Sequence, residues 1–115
     1  MIVSLKYPGL FGRNVNFRFD NYAWIKMCDL LGVEFDELEQ IDEVELVLAW
    51  MYGAYYSDCA YRNVKRRYTF EQIAKMYRWY YIKNPQMLDY VKNAMRKGKV
   101  MGKPLEDHYK GEKKK

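Results

Sequence analysis

From Asp42 to Tyr61 the chain carries a segment that is apolar on two opposite sides of a helix. Val44, Val47, Leu48, Met51 and Tyr55 recur at helical spacing and make one stripe, while Leu46, Ala49, Trp50 and Gly53 make a second across the axis. A helix of this kind either lies at the centre of a bundle or divides its faces between a core and a partner. Asp42 supplies an N-cap carboxylate, and Glu43 and Glu45 suit the positive N-terminal end. The other elements have to be arranged around it.

Ahead of this helix, residues 2–5 and 15–19 read as two short strands, and Val15, Phe17 and Phe19 alternate onto one face. Pro8, Gly9 and Gly12 punctuate the segment between them, so a β-hairpin spanning about residues 2–19 is expected. Two strands alone are marginal, so the hairpin needs helices to cover it. A first helix starts at Asp20 or Asn21 and stops at Gly32, with Trp24, Met27, Cys28 and Leu31 inward and Tyr22, Lys26 and Asp29 outward. An acidic connector, residues 34–40, adds a helical turn before Asp42.

After a basic linker at residues 62–68, Thr69 and Gln72 have the spacing of a capping box. The helix they open turns Ile73, Met76, Tyr77, Tyr80 and Tyr81 to one side. Asn84 as cap and Pro85 at the first position open a last helix that buries Met87, Leu88, Val91 and Met95 and ends at Gly98. The expected fold is therefore mainly α: a small bundle of four to five helices with a short N-terminal β-hairpin. It forms one domain over residues 1–98, followed by a flexible basic tail over 99–115.

Composition narrows the chemistry. His108, the single histidine, lies in the polar C-terminal stretch, where it is badly placed to serve as the base of a Ser–His or Cys–His set. Cys28 and Cys59 stand far apart with no CxxC pair, so they read as reduced thiols rather than zinc ligands. The chain is expected to be non-enzymatic and to need no metal or cofactor. No window is long and apolar enough to span a membrane, and residues 1–6 lack a signal-peptide pattern, which points to the cytoplasm. The net charge of +5 conceals a split: residues 1–60 hold four Lys/Arg against ten Asp/Glu, whereas residues 61–115 hold sixteen against five. An acidic front and a basic back favour head-to-tail self-association, hence a homo-oligomer.

Aromatic residues make up 17% of the chain. Those off the main stripes mark a candidate partner-binding surface: Trp50 and Tyr56, joined by Leu46 and Gly53 of the second stripe, and Trp79 of the following helix. A second candidate is a basic patch of Arg62, Lys65, Arg66, Arg67 and Arg78, interleaved with Tyr68 and Trp79; residues 62–79 with the basic C-terminal tail give the alternative of a small nucleic-acid-binding protein.

Arg18-Phe19 followed by Ala23, a helix closing on Leu31-Gly32, and the acidic Asp36-Glu37-Leu38 connector ahead of a long apolar helix occur in that order across residues 15–60. This stretch resembles the tail assembly chaperones of long-tailed, siphovirus-type bacteriophages. The resemblance implies a small helical protein of the host cytoplasm that self-associates. It further implies that the protein binds the tape measure protein, and the tail tube protein, during viral tail assembly. It also implies a longer form made by ribosomal frameshifting, with which the terminal Lys113, Lys114 and Lys115 are compatible.

Overall fold

The structure, a computed structural model, describes residues 2–6, 14–34, 37, 40–100 and 103–104. Strands β1 (Ile2–Lys6) and β2 (Asn14–Arg18) pair antiparallel in a register that sets Val3 opposite Phe17 and Leu5 opposite Val15. All four side chains lie on one face of the hairpin and are buried, as the period-two pattern requires. Phe19, just past β2, continues the buried row.

Helix α1 (Asn21–Leu31) is capped by Asp20, whose carboxylate accepts from the Ala23 N–H at 3.0 Å and from the Ser57 hydroxyl at 2.8 Å. One carboxylate thus ends one helix and ties it to the next. Gly32 closes α1 with φ +68°, a left-handed conformation that glycine adopts without a Cβ clash.

Helix α2 (Glu43–Arg62) begins at Asp42, which accepts from the Val44 N–H, and ends at Asn63 in a left-handed conformation. It is the central helix. One side packs on α1 and β2 and the other on α3 (Phe70–Lys83), which accounts for its two apolar stripes. The capping box that opens α3 is complete, with Gln72 N–H donating to Thr69 and Thr69 N–H donating to Gln72. Helix α4 (Pro85–Lys97) starts on Pro85; Asn84 makes no side-chain cap hydrogen bond, contrary to the expectation for that residue. Its buried residues are Leu88, Val91, Ala94 and Met95.

One further expectation is corrected. Tyr81 is 64% exposed, because α3 packs through Ile73, Met76, Tyr77 and Tyr80, and Tyr81 falls outside that narrower stripe. Past α4, β3 (Lys99–Val100) pairs antiparallel with β4 (Lys103–Pro104). The expected tail beyond Pro104, the loop at residues 7–13 and most of the acidic connector lie outside the described residues. Within that connector, Glu37 N–H bonds to the Glu34 carbonyl and Glu34 N–H to the Glu37 carboxylate.

The ends of the fold meet. A Cβ added at Gly98 would stand 2.9 Å from the Phe19 Cβ, so the turn after α4 is pressed against the start of α1. The Tyr80 hydroxyl donates to the Lys6 carbonyl, tying α3 to β1.

Candidate partner-binding surfaces

The structure separates the five residues expected to form a partner surface. Trp50 is 1% exposed and Gly53 is buried, and neither is available to a partner. Trp50 packs between Phe19, at 5.5 Å between ring centroids, and Trp24, edge-on at 5.2 Å. Gly53 lies where α1 crosses α2; a Cβ there would stand 2.4 Å from the Ala23 carbonyl oxygen. The second apolar stripe of α2 is therefore the seat of α1 and the hairpin. Leu46, Tyr56 and Trp79 are half-buried. Leu46 and Tyr56 are ten residues apart on α2, about 15 Å along its axis, and Trp79 packs edge-on against Tyr80 of α3.

Two other surfaces emerge, one near each end of α2. Because α1 runs antiparallel to α2, its C-terminal Leu30 and Leu31 come beside the N-terminal Asp42, Val44, Glu45 and Leu48, and Phe70 of α3 joins them. Together with Ala49 these residues line a groove of about 370 Å³. Leu30 and Val44 are 45% and 51% exposed, Leu48 and Phe70 are half-buried, and Asp42 and Glu45 stand exposed beside them. The result is an apolar trough with an acidic rim. Its members come from three helix ends, so no local sequence pattern announces it.

The opposite end of α2 is basic and aromatic. Lys26 Nζ lies 4.6 Å and Arg66 Cζ 4.0 Å from the centroid of the Tyr56 ring, and Tyr22 packs against Tyr56 at 6.0 Å. Each cation–ring contact stabilises by about 0.5–1 kcal/mol where solvent still reaches it. Tyr56, Cys59, Ala60, Val64, Lys65 and Arg66 line an open concavity of about 360 Å³. Of the expected basic patch, Lys65, Arg66 and Arg67 stay together and exposed on the linker, and Arg78 is exposed on α3. Arg62 is engaged instead. It holds the buried Asp58 at 3.0 Å, with Arg18 on the other carboxylate oxygen at 3.7 Å and its guanidinium over the Tyr61 ring. Sequence reasoning had set Tyr22 and Lys26 outward on α1 without connecting them to Tyr56; their i, i+4 spacing was the available signal.

The linker that carries these cations is fixed by Tyr55. Its hydroxyl oxygen accepts from the Arg67 and Tyr68 N–H groups at 2.6 and 3.1 Å, and its ring packs on Tyr68 at 5.6 Å. Burial pushes the phenol up to about 12, although the two N–H donors oppose the shift. A neutral group whose folded value is raised stabilises fully below its unfolded value near 10, and that stability is lost as pH climbs towards 12. Tyr55→Phe, which leaves two amides without their acceptor, is expected to cost about 1–3 kcal/mol near neutrality. The difference from wild type should shrink above pH 10, as checked by urea denaturation at several pH values.

Burial, aided by the Asp29 and Glu34 carboxylates, raises the Cys28 thiol, and burial raises that of Cys59; both cysteines are free. Among the described residues, no three His, Cys, Asp or Glu side chains stand close enough to hold a metal ion, and no helix is long and apolar enough to cross a membrane. Comparisons of the chain with protein-family models, with curated proteins and with solved structures returned no match.

Proposed function

We propose that this chain is a non-catalytic assembly protein of the phage tail assembly chaperone kind. On this reading it acts in the host cytoplasm, self-associates, and holds an apolar helix of the tape measure protein until tail tube protein polymerises around it. The observation that carries the reading is the acidic-rimmed apolar groove. Leu30 and Val44 offer exposed side chains on rigid helix ends, and Asp42 and Glu45 favour a helix whose apolar face is flanked by Lys or Arg. The resemblance across residues 15–60 supplies the partner's identity.

Coexpression with the tape measure protein tests this directly. Wild-type chain should raise the soluble yield of that protein, and Leu30→Glu with Val44→Glu should remove the effect while circular dichroism shows the helices intact. Burying the new carboxylates against an apolar partner costs about 3 kcal/mol or more, which is about a hundredfold in affinity. A yield that ignores the wild-type chain overturns the proposal. A yield that the double variant still raises removes the groove from it.

A further inference from the structure

The basic end of α2 has no place in that reading, yet it is organised. Lys26 comes from α1, while Lys65 and Arg66 come from the linker after α2, and the fold gathers all three round Tyr56. Among the described residues the ion pairs involve Asp58 with Arg18 and Arg62, and none involves Lys26, Lys65 or Arg66. Like charges brought together without an ion-pair partner repel one another, and ring faces only partly relieve this. Such a cluster is complementary to an anion from outside the chain.

The surroundings say which anion. The concavity is open rather than enclosed, which suits a passing polymer better than a small molecule. An exposed ring borders it: Tyr22, 40% exposed, packs against Tyr56. Cations that follow a backbone beside aromatic faces on which bases stack form the recognition surface for single strands, whereas a run of carboxylates alone makes no stacking contact with the rings. We propose that the face built from Lys26, Tyr56, Lys65 and Arg66, with Tyr22 beside it, binds single-stranded nucleic acid through its phosphates. It lies well away from the groove, since Val44 and Ala60 are sixteen residues apart, about 24 Å along α2.

Fluorescence anisotropy of the full chain with a labelled oligothymidylate, measured between 50 and 200 mM salt, tests the site. Each phosphate contact on a single strand contributes about 0.7 to the slope of log affinity against log salt. Losing three contacts in Lys26→Gln/Lys65→Gln/Arg66→Gln should flatten the slope by about 2. Over that fourfold rise in salt, wild-type affinity should therefore fall roughly twentyfold more than that of the variant. Lys65→Glu/Arg66→Glu, confined to two exposed linker residues, should weaken binding further and covers the case in which the Lys26 change disturbs α1. Polyglutamate should compete poorly. Equal slopes for wild type and both variants overturn the proposal, since binding would then reside elsewhere. Competition by polyglutamate as strong as by unlabelled oligothymidylate also overturns it, in favour of an acidic protein.

Discussion

Gly53→Ala should destabilise the protein by about 2 kcal/mol or more, although it places the best helix former in the middle of a helix. The intrinsic gain from Gly to Ala is about 1 kcal/mol. Against it stands the crossing of α1 and α2, where the new methyl would lie 2.4 Å from the Ala23 carbonyl oxygen and 3.2 Å from the Met27 amide nitrogen. Both are backbone atoms of a helix that is itself packed, so no side chain can swing aside. Separating the helices loosens the contacts of Ala23, Trp24 and Met27 together, and overpacking of this kind costs about 3 kcal/mol, occasionally more. The loss is then a large share of a small domain's total stability of about 5–15 kcal/mol. Urea denaturation checks it; a variant as stable as wild type would show that the helices do not approach so closely.

Trp50→Ala should cost about 3–5 kcal/mol, the range for removing a large buried aromatic side chain. The ring is enclosed by Phe19 and Trp24, so truncation leaves a cavity bounded at once by α1, α2 and the turn between β2 and α1. Trp50→Phe should be much milder. Among the described residues the buried Trp50 indole N–H has no hydrogen-bond partner, and phenylalanine discards that donor along with part of the ring. A surface Trp would behave otherwise: its Ala variant would lie within about 0.5 kcal/mol of wild type, and the phenotype would appear in partner binding. Thermal unfolding of the three proteins separates the two cases, because only a core position gives a large gap between Ala and Phe.

These two positions also mark where sequence reasoning failed. Caps and periodicities are local, so Asp20, Asp42, Thr69 and Gln72 mark helix starts correctly, and the alternation of Val15, Phe17 and Phe19 sets the hairpin face. The double stripe of α2 likewise marks it as the central helix. Which stripe meets the core is a different question, decided by what packs against each. Gly53 reads as a gap in a surface until Ala23 is set beside it, and Trp50 reads as a spare aromatic until Phe19 and Trp24 enclose it. The candidate sites were less legible still. The groove needs the ends of three helices, and the basic face needs Lys26 from the half of the chain whose overall charge is negative. Summed charge hides a residue that tertiary structure moves to the other camp.

The tie between the Tyr80 hydroxyl and the Lys6 carbonyl, with Gly98 seated on Phe19, bears on how the molecule comes into being. Strand β1 receives a neighbour from a residue made 74 positions after it. A nascent chain that has reached only Arg62 holds the hairpin, α1 and α2, but leaves open the places that α3 and α4 later fill. Such distant closures slow the search for the native state and prolong the exposure of apolar surface. Closure of this fold around β1 accordingly waits for α3 and α4 to be made rather than keeping pace with the hairpin.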